Sequence, residues 1–101
     1  MVAAAHLATG LPVYVTEVGW PTAVGQLATN DSLQWSEADQ ATNIYEFIQW
    51  ARDTGYIKAV IIFEYRDSGA NMAYGITRAD GTHKKSFEDL RRAASGLPKS
   101  P

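Results

Sequence analysis

No cysteine occurs in the chain, which excludes disulfides and thiolate metal sites and leaves the redox compartment open. The two histidines, His6 and His83, are far apart and match no metal-ligand spacing. Neither a metal nor a cofactor is expected. There is no basic run, and a formal net charge of −2 argues against a nucleic-acid partner. Apolar runs are far too short to span a bilayer, and residues 1–8 lack the basic start of a signal peptide. No membrane partner is therefore expected, and the sequence leaves the compartment unknown. Prolines number four and glycines eight, with no repeat or low-complexity stretch beyond the Gly-Leu-Pro-Lys-Ser-Pro tail. What is present is a globular composition, 46% hydrophobic and 11% aromatic. At 101 residues it fills one small domain at most.

The most structured stretch runs from Leu11 to Thr22. Val13, Tyr14, Val15 and Val18 suit a buried, pleated strand, and Pro12 suits its first position, where a missing N–H costs little. The strand, expected over 12–18, stops at Gly19-Trp20-Pro21. Glu17 thus sits at a strand end beside a loop carrying an indole. An unpaired buried carboxylate costs several kcal/mol, on the order of its lost hydration, so an acid at this place needs a reason.

Around this strand the chain reads as helix end, strand, helix, strand, helix. Residues 1–10 look like the last turns of a helix closed by Gly10. A polar loop from Ala23 to Trp35 precedes a helix expected over 36–54, with Ser36 as N-cap and Asp39 at the capping-box position. Ala41, Ile44, Tyr45, Ile48 and Ala51, joined by Phe47, form its apolar face. The nearly continuous apolar run 58–65 predicts a second strand covered on both faces, as in a parallel sheet. After a second polar loop, 66–83, the sequence Ser86-Phe-Glu-Asp89 repeats the capping pattern and opens a helix over 86–95. The fold class is α/β, a right-handed βαβα order by default. Two parallel strands with two full helices leave sheet edges and faces uncovered. That predicts a piece of a larger α/β fold, or a chain that completes itself by association.

Both long loops follow the carboxyl ends of the strands, where α/β folds bind ligands. Glu17, Trp20, Phe63, Glu64, Tyr65, Arg66 and Asp67 all lie there. Sugar rings stack on aromatic faces, and a carboxyl group can attack or protonate at an anomeric centre.

Val13-Tyr-Val-Thr-Glu-Val-Gly-Trp-Pro21 resembles the seventh-strand motif of the retaining (β/α)8 glycoside hydrolases of clan A, whose glutamate at this place is the nucleophile. The resemblance carries that role to Glu17. Ser36-Glu-Ala-Asp-Gln-Ala-Thr resembles the start of the seventh helix and Lys58 to Asp67 the eighth strand. Tyr74-Gly-Ile, Asp80-Gly-Thr and Lys84-Lys-Ser-Phe resemble the segment before the final helix. The resemblance implies two βα units corresponding to the last quarter of a TIM barrel, incomplete as an isolated domain. Residues 1–10 would then end helix 6, with strand 7 at 12–18, helix 7 at 36–54, strand 8 at 58–65 and helix 8 at 86–95. It also implies a carbohydrate substrate, O-glycosyl hydrolysis of β-linked glycosides or glucans, and a parent often secreted. The clan's acid/base glutamate comes from the fourth strand, which has no counterpart here, so the isolated chain is expected to be inactive. The clan's tryptophan platform on the eighth strand is also missing; Phe63 or Tyr65 would stand in, with Trp20 as a subsite wall.

Retention needs a second carboxyl group about 5–5.5 Å from the nucleophile, and the nearest candidate in the chain is Glu64. Against these readings, Glu17 could pair structurally with Arg66 or accept loop N–H bonds, and Glu64, Arg66 and Asp67 could form a rim of ion pairs. Trp35 and Trp50 are assigned to packing, and Tyr14 and Thr16 to the helix side of the sheet. The rival from another class is a non-catalytic α/β module that binds carbohydrate or another partner, completed by homo-oligomerisation.

Overall fold

The computed structural model describes residues 2–22, 35–68 and 73–101. The loop expected over 23–35 lies outside them except for Trp35, as do Gly69 and Asn71 of the second loop. The described residues form helix α1 (Val2–Thr9), strand β1 (Val13–Val18), helix α2 (Glu37–Thr54), strand β2 (Ile57–Ile62) and helix α3 (Lys85–Ser95). The strands pair in parallel as a two-stranded sheet. This is a small α/β arrangement.

α2 begins where Ser36 Oγ accepts the Asp39 N–H at 3.0 Å, satisfying a donor that the first helical turn leaves unpaired. It ends at Gly55, whose φ of 78° is open to glycine at little cost. α2 packs chiefly on α3 and more lightly on β2, and α1 touches β1. Arg52 fastens the two long helices by donating to the carbonyls of Ala93 and Ala94 at 2.8 and 2.7 Å, a cation placed at the negative end of α3.

α3 starts one residue before the expected 86. Lys84 is its N-cap and gives no side-chain capping bond. Ser86 is fully buried, and its hydroxyl donates to Gln40 Oε1 at 2.7 Å. The capping pattern was therefore misleading: Ser86 serves a contact between helices.

β2 starts at Ile57 and is shorter than the expected 58–65 at its far end. Phe63 still donates its N–H to Val18 O at 2.7 Å, but the chain then leaves the β1 ladder. Residues 64–67 pair instead with 74–77, through Glu64 N to Tyr74 O, Ile76 N to Glu64 O, Thr77 N to Tyr65 O and Asp67 N to Thr77 O. The expected polar loop 66–83 thus contains bridges, from Thr77 to Arg66 and to His83.

The sheet has one covered face and one open face. Val15 is buried, and Val13, Val18, Ile57, Val60 and Ile62 are half-buried. Tyr14 (66% exposed) and Ile61 (59%) lie on the other side with Thr16 and Ala59, which are also exposed. Tyr14 and Thr16 therefore face away from the helices, contrary to expectation, because the three valines take the helix side. The buried apolar side chains among the described residues include Ala41, Ile44 and Ala51 of α2, Ala93 of α3, and Ala73 and Ile76 of the segment after β2.

Candidate functional site

The carboxyl end of β1 is irregular in a way that determines where Glu17 points. Val15 is opposite Val60 and Val18 opposite Ile62, so three steps along β1 match two along β2. One extra residue is inserted at Thr16–Glu17, the geometry of a β-bulge. Val60 and Ile62 share a face, since strand side chains alternate. Val15 and Val18 must then share the helix-side face, and both intervening residues are displaced to the open one. Strict alternation from Val15 would have turned Glu17 toward the helices. Instead Glu17 is exposed, like Thr16 and Tyr14, at the carboxyl end of a parallel strand. It makes no hydrogen bond or ion pair with another described residue, so the suggested Glu17–Arg66 pair does not form.

The loop after β1 is fitted closely against the end of β2. A Cβ added to Gly19 would lie 2.0 Å from Phe63 O and 3.2 Å from Tyr74 Cδ1. Only a residue without a side chain fits this approach. The Phe63–Glu64 peptide is cis. The Phe63 ring lies 5.5 Å from that of Tyr74, tilted by 59°. Trp20 meets Phe47 edge-on at 5.9 Å, and the row continues through Trp50, Tyr56 and a stacked His6. Trp20 is thus backed by α2, and Trp50, assigned to packing, touches Phe47 and Tyr56 but is 37% exposed. Tyr65 is the most open ring at this end, 64% exposed.

Beneath these loops lies a buried polar layer. Lys84 Nζ is 2.8 Å from Asp67 Oδ1 and donates also to Thr22 Oγ1 and Ala73 O at 3.2 and 3.3 Å. Asp67 Oδ1 accepts the Gly75 N–H at 2.8 Å. Gln40, on the first turn of α2, donates to the carbonyls of Trp20, Gly75 and Tyr74. Farther out, Arg78 grips Glu37 through Nε and Nη2 at 3.1 and 2.6 Å, which raises the already high pKa of its guanidinium.

The expected rim of ion pairs is corrected by this layer. Asp67 turns inward to Lys84. Glu64 accepts from Ser68 Oγ at 3.2 Å, and Arg66 pairs through its backbone with Thr77 with no ion pair among the described residues. Glu17, Trp20, Phe63 and Tyr65 all sit at the carboxyl end of the sheet, and Tyr74 joins them without having been named a site residue. Gln40 was also missed, although it occupies the buried stripe that continues through Ala41, Ile44 and Ala51. A polar residue on an apolar stripe was the available signal.

What this end offers chemically is an exposed carboxylate, Glu17, a half-buried one, Glu64, and the rings of Trp20, Phe63, Tyr65 and Tyr74. No cluster of metal-ligating side chains occurs among the described residues, and no helix of the described chain is long and apolar enough to cross a membrane.

No protein-family model matches the sequence, and no curated protein sequence matches it. Solved structures do resemble it. A β-D-glucuronidase of Dictyoglomus thermophilum superposes with a TM-score of 0.70 at 17% identity, over 93% of this chain and 18% of its own. A Bifidobacterium dentium β-glucuronidase, solved with coumarin-3-O-glucuronide, gives 0.68 at 19% identity, over 99% and 18%. An Eisenbergiella tayi β-galacturonidase bound to galacturonate gives 0.68 at 21%, over 92% and 18%. The chain therefore spans about a fifth of each of these proteins, and at such identities what it shares with them is the fold.

Proposed function

We propose that the chain is the C-terminal part of a (β/α)8 glycoside hydrolase of the retaining type, with β1 and β2 as its seventh and eighth strands. Glu17 is the nucleophile in this reading. The observation that carries it is the bulge at Thr16–Glu17, which moves the carboxylate onto the open sheet face at the ligand-binding end of parallel strands. Bulges re-aim side chains in this way beside active sites. The likeness to two β-glucuronidases and a β-galacturonidase supports a β-linked glycoside as substrate.

The reaction is a double displacement. A Glu17 carboxylate oxygen attacks the anomeric carbon while the bond to the leaving oxygen breaks, and an acid group donates a proton to that oxygen. The acid, now a base, takes a proton from water, whose oxygen displaces Glu17. That second carboxyl group belongs to a strand outside this chain. Trp20, Phe63 and Tyr65 flank the sugar, with Tyr65 the ring most open to stacking.

Two experiments test the reading. The isolated chain is assayed on aryl β-glycosides, uronides included, and no turnover is expected; turnover abolished by Glu17→Gln would overturn the assignment of the acid to another segment. The genomic sequence upstream of the Met1 codon is then determined. An open frame of further βα units with an Asn-Glu pair is expected. Expressed whole, its product should be labelled on Glu17 by a 2-fluoro glycoside inactivator, and labelling of another carboxylate would overturn the nucleophile.

A further inference from the structure

We infer that Gln40 is a positioning residue that fixes the loop bearing Trp20, and through it the end of β1 bearing Glu17, relative to the segment after β2. The inference rests on the reading of Glu17 and Trp20 as site residues.

Gln40 is 0% exposed and is mounted on the first turn of α2, where its own N–H bonds to Ser36 O at 2.9 Å. Its Nε2 lies 3.0 Å from Trp20 O, 3.0 Å from Gly75 O and 3.4 Å from Tyr74 O. The carbonyls only accept, which fixes Nε2 on their side and leaves Oε1 to accept the Ser86 hydroxyl at 2.7 Å. An amide supplies two N–H donors and an acceptor, and here both functions are engaged. One side chain therefore joins the loop after β1, the segment after β2 and the start of α3. The Trp20 carbonyl sets the peptide plane following the indole. Three residues upstream, Glu17 hangs on the same short run, which is fastened on its other side by the Phe63 N–H to Val18 O bond. No apolar side chain of the same size could do this, since buried carbonyls left without donors are unfavourable.

The test uses the 101-residue chain with Trp35→Phe and Trp50→Phe, leaving Trp20 as the reporting indole. Gln40→Met preserves length and volume but removes every donor. With helical content retained, the acrylamide quenching constant of Trp20 should rise by roughly twofold or more as the loop opens locally. An unchanged constant in the folded variant would mean that Gln40 only fills space, and would overturn the inference. If Gln40→Met does not fold, the unsubstituted chain decides by NMR. The Gln40 side-chain amide protons should exchange about tenfold or more slowly than those of a free glutamine, with couplings across the hydrogen bonds to the Trp20 and Gly75 carbonyl carbons. Exchange at the free rate in a chain that retains its helical content overturns the inference. Neither measurement needs turnover, so failure of the nucleophile assignment is seen separately in the labelling experiment.

Discussion

Lys84 Nζ stands 2.8 Å from Asp67 Oδ1, with the lysine side chain 1% exposed and the aspartate 12%. The two residues are unequally placed. Asp67 retains some water and the Gly75 N–H, whereas Lys84 has only the neutral oxygens of Thr22 and Ala73 besides its partner. Breaking a buried pair leaves the other charge uncompensated, at about 3–5 kcal/mol. Asp67→Ala should therefore cost more than Lys84→Met, which strands the partly hydrated member, by roughly 1–2 kcal/mol. Urea unfolding of both variants tests the order. Equal losses would show that the cost follows the contact and not the stranded charge.

Gly19 makes a purely steric prediction. Its φ is not in the left-handed region, but a Cβ there would stand 2.0 Å from Phe63 O. A backbone oxygen cannot swing aside as a side chain can. Gly19→Ala should thus lower stability by about 2–4 kcal/mol and loosen the loop that carries Trp20. Denaturant unfolding measures the first effect and indole quenching the second; a loss near zero would mean the two loops are not held together there.

How far the sequence discloses this arrangement depends on whether a feature is local. The Ser36 cap, the Gly55 stop and the valines of β1 are read from neighbouring residues, and the structure has them in those roles. Ser86 was misread because Ser-x-x-Asp is a local pattern, whereas its hydroxyl answers a residue 46 positions away. The face of Glu17 was likewise beyond a single strand's alternation, since the bulge is defined by pairing with Val60 and Ile62. Asp67 looked like a rim acid until Lys84, 17 residues on, drew it inward. The identity of a candidate acid was legible; its orientation required the partner strand.

Asp89 gives a prediction in pH. Burial pushes its carboxyl pKa up, but hydrogen bonds from Ser100, Lys85 and Lys99 outweigh this and hold it at about 2, below the ordinary 3.8. A carboxyl group with a depressed folded pKa contributes stability that is fully present above its unfolded value and is lost as pH falls toward the folded one. The window is therefore about pH 4 down to 2, and the loss is on the order of 1–2 kcal/mol. Glu88, held at about 2 by Arg91 and Arg92, titrates in the same window but is solvent-screened. Comparing urea midpoints at both ends of the window, Asp89→Asn should flatten the dependence and Glu88→Gln should change it little. Asp89 accepts the Ser100 N–H at 2.9 Å, so its loss should also free residues 97–101 to proteolysis.

Glu17→Gln separates an acid kept for chemistry from one kept for structure. A carboxylate that anchored the β1 loop would have donors around it, and its removal would cost about 1–3 kcal/mol. Glu17 has no such partner among the described residues, and the bulge turns it outward. Stability by urea unfolding should therefore change by no more than about 0.5 kcal/mol. The same substitution in the whole protein of the proposed reading removes the attacking oxygen and should abolish glycosyl transfer. A loss of stability above about 1 kcal/mol would return Glu17 to a structural role, and the bulge would then need another explanation.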